Sequence, residues 1–128
     1  MADLEDVQRL VTSLPDVTDV ERRERRAWAV AGKTFAWERA FSKADIRRYA
    51  GAPVPSGPIL ALATDGLEDK EALLQAHPGY LFTIPHFDGY AAVLLHLESA
   101  DETDLRDALE NAWLVHAPAD VAERYLEA

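Results

Sequence analysis

The run Arg26-Ala-Trp-Ala-Val-Ala-Gly-Lys-Thr-Phe-Ala-Trp-Glu-Arg39 decides the fold. Two stretches rich in β-favouring residues flank Gly32-Lys33, a Gly-X pair suited to a type II′ turn, and this pattern predicts a β-hairpin. With those two residues as the turn, Val30 lies across from Phe35, Trp28 from Trp37 and Arg26 from Arg39. Side chains alternate between the faces of a strand, so Trp28, Val30, Phe35 and Trp37 are expected to form one cross-strand aromatic cluster. The same register sets two like charges opposite each other, a repulsion that a nearby acid or an anionic ligand would relieve.

On the N-terminal side, Leu4, Val7, Leu10, Val11 and Leu14 recur at helical spacing and predict an amphipathic helix over residues 3–14. Its acidic first turn (Asp3, Glu5, Asp6) suits the positive end of the helix dipole. Pro15 stops the helix, and a turn is expected from Asp16 to Asp19. On the C-terminal side, residues 41–49 read as a short helix with Ser42 as its cap. The string Gly51-Ala-Pro-Val-Pro-Ser-Gly-Pro58 cannot be helical and reads as a loop. The apolar run Ile59-Leu-Ala-Leu-Ala63 predicts a strand covered on both faces. Residues 65–77 read as a helix with Leu67, Leu73 and Leu74 inward, and residues 80–84 and 90–97 as further strands joined by the turn Pro85-His86-Phe87-Asp88-Gly89. Leu105, Ala108, Leu109, Ala112, Trp113 and His116 form the apolar stripe of a long helix capped by Asp101, and a last helix carrying Val121, Ala122, Tyr125 and Leu126 opens at Pro118. The order of elements implies a single α+β domain, an antiparallel sheet with helices packed on one face.

A chain of 128 residues with 48% hydrophobic content buries enough surface for a core without metal or disulfide staples. The absence of cysteine excludes thiol catalysis, thiolate zinc sites and iron-sulfur clusters. No apolar run reaches membrane-spanning length and the first 20 residues are acidic, so the expectation is a cytoplasmic protein with no membrane partner. The net charge of −10 opposes generic nucleic-acid binding. That total hides a segregation: residues 22–48 hold nine of the 13 basic groups against three acids, so the segment carries +6 and the rest of the chain −16.

Several strings, taken in order, resemble the MmcQ/YjbR family of small bacterial proteins. They are the opening helix into Ser13-Leu14-Pro15-Asp16-Val17, Trp28-Ala-Val-Ala-Gly-Lys33 followed by Phe35-Ala36, the Pro78-Gly79-Tyr80 step, His86-Phe87 ahead of the later strand, and the helix through Leu105 and Leu114. The resemblance implies the double-wing fold shared with the frataxin-like CyaY superfamily. Family members are described as DNA-binding by fold-level analogy. On that basis the basic segment is expected to contact nucleic acid weakly and without sequence preference, through Arg22, Arg26, Arg39, Arg47 and Arg48. The alternative is a module for a small ligand or a protein partner, with Trp28, Trp37, Tyr49, His86 and Phe87 as an apolar wall.

Catalysis is the less expected class. Ser13, Ser42, Ser56 and Ser99 lack the Gly-x-Ser-x-Gly elbow, and no glycine-rich phosphate loop precedes a helix. No two histidines have the spacing of a helical zinc motif; His116 reads as a packed helix-end residue, His96 as a residue on one strand face, and His86 with Asp88 as a hydrogen-bonded turn. The frataxin-like resemblance raises iron at Asp3, Glu5 and Asp6, but carboxylates on one turn do not make a hard-cation cage. No metal, cofactor or catalytic residue is therefore assigned, and oligomeric state is left open.

Overall fold

Three of the helices begin on a reciprocal capping box, in which a side-chain oxygen at the N-cap accepts the N3 amide and the N3 acid accepts the N-cap amide. Asp3 and Asp6 start α1 (Leu4–Thr12), Ser42 and Asp45 start α2 (Lys43–Arg48), and Asp101 and Asp104 start α4 (Glu102–His116). The remaining helices are α3 (Gly66–Ala76) and α5 (Ala119–Glu127). The strands are β1 (Val17–Arg22), β2 (Arg25–Val30), β3 (Lys33–Glu38), β4 (Ile59–Ala63), β5 (Leu81–Phe82) and β6 (Ala92–His96). They come from a computed structural model that describes residues 2–22, 25–55 and 57–127. Arg23, Ser56 and the side chain of Arg22 lie outside the described residues.

The strands form one antiparallel sheet in the order β1-β2-β3-β4-β6-β5. Strand parity then sorts the apolar residues into two layers. Leu60, Leu62, Val93 and Leu95 join Trp28, Val30, Phe35, Leu105, Leu109 and Trp113 in the main core, under α1 and α4. α5 packs outside, its Tyr125 meeting Trp113 edge to face at 5.1 Å between ring centroids. Ile59, Ala61, Ala92 and Leu94 point the other way and form a smaller core with Ile84 and Phe87, against which Trp37, Phe41, Tyr49 and Phe82 pack. The expected α+β fold with an antiparallel sheet is what the chain adopts. Helices α1 and α4 share one face, while the opposite face is only partly covered, by α2 and the 3₁₀ turn Pro85–Phe87.

The hairpin differs from expectation in a way that moves the site. Its turn is Ala31-Gly32, with Val30 paired to Lys33 and both turn residues at positive φ (51° and 78°), as a type I′ turn requires. The register then breaks: Ala29 pairs with Thr34 but Trp28 with Ala36, leaving Phe35 as the extra residue of a β-bulge. The bulge turns both Phe35 and Ala36 into the main core and sends Trp37 to the opposite face. Trp28 and Trp37 are therefore separated by the sheet, and the single aromatic cluster does not form. Arg26 does not face Arg39 either; its backbone amide meets Glu38 at 3.5 Å.

Smaller corrections follow the same logic. Residues 17–19 belong to β1 rather than to a turn: Asp16 reverses the chain at φ 58°, and β2 offers Val17 and its successors a full ladder of partners. The expected strands at 80–84 and 90–97 shorten to β5 and β6. α3 is rotated so that Leu67 is 53% exposed, while Lys70 is the residue turned inward.

Candidate functional site

On the less covered face a groove of about 500 Å³ opens beside β3. Trp37, sent there by the bulge, forms one wall. Phe87 and Tyr90, from the turn that precedes β6, form the other, their rings stacked at 5.5 Å with 17° between planes. Trp37 and Tyr90 approach to 6.3 Å between centroids. Arg39 lies 5.6 Å above the Phe87 ring, a cation-π distance. Arg25, Glu38, Phe41, Ser42 and His86 complete the lining.

Two buried charged groups hold this arrangement. Asp45, 2% exposed, accepts from Arg39 at 2.9 Å and from the Ser42 amide at 2.9 Å. Burial pushes its carboxyl pKa up, but the Ser42 amide and the Arg39 guanidinium outweigh that and hold it below the ordinary 3.8. Arg39 also donates to the Ala40 carbonyl, which fixes the guanidinium at the edge of the groove. The second group is Lys70 on α3, 7% exposed, whose ammonium donates to the Phe87 carbonyl at 2.6 Å and the Tyr90 carbonyl at 2.9 Å. Burial lowers its pKa from the ordinary 10.5, with the Asp88 carboxylate opposing. One lysine thus ties the turn that carries half of the aromatic wall to a helix.

Of the ligand-wall residues expected from sequence, Trp37, His86 and Phe87 meet in the groove, and Tyr49 stands behind it, 5.8 Å from Phe41. Trp28 does not belong. It is buried in the main core at 1% exposure, its indole N–H donating to Gln8 at 3.1 Å. Arg25, Tyr90 and Lys70 were not anticipated. Lys70 did carry a signal, since it occupies the stripe set by Leu67, Leu73 and Leu74 where a charged residue needs a partner. Arg25 and Tyr90 carried none, because only the bulge and the fold of the 85–90 turn bring them to Trp37.

The five arginines expected to contact phosphate do not form one surface. Arg26 sits on the α1 side of the sheet, donating to Gln8 at 3.0 Å, 3.5 Å from Glu5 and stacked over Trp28 at 5.7 Å. Arg39 lies on the groove side with Asp45. Arg47 and Arg48 are exposed on α2. Arg22 closes the β1-β2 hairpin opposite Arg25, and its side chain is outside the described residues.

Among the histidines, His116 is half-buried, which lowers its pKa, with Lys33 adding to the shift. His96 Nδ1 is 2.6 Å from the Ser99 hydroxyl. Among the described residues no group of three or more His, Asp or Glu side chains is placed to hold a metal ion, and no helix is long and apolar enough to cross a membrane.

Among the described residues, a six-stranded antiparallel sheet with α1 and α4 on one face and an aromatic groove on the other defines a small α+β domain. The chain belongs to the YjbR family, whose family model matches residues 12–115. It is 38% identical over 128 residues to the Mycobacterium tuberculosis protein Rv2570 and to the Mycobacterium bovis protein Mb2600, covering 98% of this chain and 97% of each relative. Its fold is similar to the crystal structure of Deinococcus radiodurans protein DR2400, of the family-model domain DUF419. That likeness has a TM-score of 0.64 at 18% identity, over 99% of this chain and 89% of that one.

Proposed function

We propose that this protein is a binding module that holds a small ring-bearing ligand in the groove lined by Trp37, Phe87 and Tyr90. The observation that carries the reading is the groove itself. Its volume of about 500 Å³ falls within the range of small-molecule sites, and aromatic walls are bordered by a few polar side chains fixed by buried partners. Trp37 is half-buried and Tyr90 is exposed, so part of each ring faces the groove. A ligand ring stacked there recovers the burial they lack.

The test is a thermal-shift panel of ring-bearing metabolites at millimolar concentration, run on wild type and on Trp37→Ala. A ligand at tenfold excess over its Kd adds about 1.4 kcal/mol to stability. A shift in wild type that Trp37→Ala removes supports the reading; no shift across the panel, or shifts equal in both proteins, refutes it.

Exposed Arg47 and Arg48 on α2, beside the groove, favour a second reading in which the basic segment contacts nucleic acid. The acid partners of Arg26 and Arg39 and the overall charge of −10 weigh against it. Fluorescence anisotropy with labelled oligonucleotides at roughly 50 and 200 mM salt decides the matter. Binding that falls steeply with salt and with Arg47→Glu, Arg48→Glu supports this reading, and binding absent at low salt eliminates it.

A further inference from the structure

Resting on the groove reading above, we infer that the ligand is a planar aromatic carboxylate, its ring against the groove-facing sides of Trp37 and Tyr90 and its anionic end between Arg25 and Arg39. The bulge supplies the first reason. Ala27 pairs with Trp37, so continuing that register sets Arg25 across from Arg39 on the face where Trp37 lies. Both arginines line the groove, Arg39 over the Phe87 ring. Like charges across a strand pair repel unless an anion lies between them.

The second reason is the count of donors against acceptors. Among the described lining residues two arginines stand against one carboxylate, Glu38, while Ser42 and His86 can donate or accept. The carboxylates near the two arginines do not use them up. Arg25 is half-exposed and reaches Glu38 only at 3.4 Å. Of the two terminal Arg39 nitrogens, Nη2 donates to the buried Asp45, itself held by the Ser42 amide, and Nη1 donates to the Ala40 carbonyl, and each keeps a second N–H. Guanidinium donors therefore remain for a ligand that is itself an acceptor, and a planar carboxylate matches their fork geometry. A ligand ammonium in the same place would meet two guanidiniums, and an uncharged carboxamide would gain hydrogen bonds without the charge.

Three isosteric probes separate these cases: 2-naphthoate, 2-naphthamide and 2-naphthylmethylammonium, each titrated into the protein and followed by NMR. Naphthoate should perturb the Trp37 indole resonance and bind at least about fivefold more tightly than the amide, with the ammonium weakest. Arg25→Gln should cost naphthoate a similar factor and the amide markedly less, since only the carboxylate loses a charge partner, and Glu38→Gln should tighten naphthoate. Arg25 is half-exposed and Glu38, 19% exposed, is the last residue of β3, and the amide titration reports independently that the groove is intact. Amide or ammonium binding as tight as naphthoate overturns the carboxylate assignment while leaving the groove in place. No perturbation of Trp37 by any of the three overturns the groove reading and this one together.

Discussion

Lys70→Met replaces the buried ammonium that ties α3 to the 85–90 turn. Methionine fills most of the volume of the lysine stem, so the change tests the two hydrogen bonds rather than a cavity. Bonds from a charged donor contribute about 1.5 to 3 kcal/mol each. Two features reduce the loss. The Phe87 and Tyr90 carbonyls keep backbone partners, the amides of Tyr90 at 3.0 Å and Ala92 at 2.9 Å, and removing the ammonium also removes its desolvation cost. The expected net destabilisation is about 2 kcal/mol, which for a chain of this size lowers Tm by about 6 to 10 °C. Because the loss is local, amide hydrogen exchange should accelerate across residues 85–91 while β4 and α4 stay protected. The pH dependence gives an independent sign. Lys70 has its folded pKa lowered below 10.5, so in that window the unfolded chain binds more protons than the folded one. The contribution of Lys70 to stability therefore rises with pH, and the gap between wild type and Lys70→Met should widen as pH rises toward 10.5. A variant as stable as wild type, with unchanged exchange at 85–91, would refute the view that Lys70 holds the groove wall.

Asp45→Asn should destabilise by about 1 to 3 kcal/mol at neutral pH in chemical denaturation, since it strips the charge from a buried partner of Arg39 and weakens the cap of α2. The folded pKa of Asp45 is lowered, so its contribution is present above 3.8 and disappears as pH falls through the folded value; the two proteins should converge in acid. Ala31→Asn should stabilise by about 0.5 to 1 kcal/mol, because alanine at φ 51° bears a steric cost that asparagine tolerates in a type I′ turn. A loss of stability there would contradict the turn assignment.

Most of the fold was legible because its signals are local. The caps at Ser42 and Asp101 marked helix starts, Pro15 and Pro118 marked breaks, and the unbroken apolar run Ile59–Ala63 suited a strand buried on both faces. The site was less legible because one residue displaced it. Phe35, as a bulge, changes the parity of everything after it in β3, so Trp28 and Trp37 part company and Arg25 takes the place expected for Arg26. Period-two reasoning has no means to locate a bulge in Thr34-Phe35-Ala36, where each residue fits a regular strand equally well. Tyr90 entered the site from the other side of the chain through a turn whose shape depends on Lys70, 20 residues upstream.

The groove as a binding site is tested most directly by intermolecular nuclear Overhauser contacts in the complex with 2-naphthoate. Contacts from the naphthalene ring protons to the rings of Trp37, Phe87 and Tyr90, lost in Trp37→Ala, are the predicted result. Contacts to residues elsewhere on the sheet, or none at saturating probe, would contradict it.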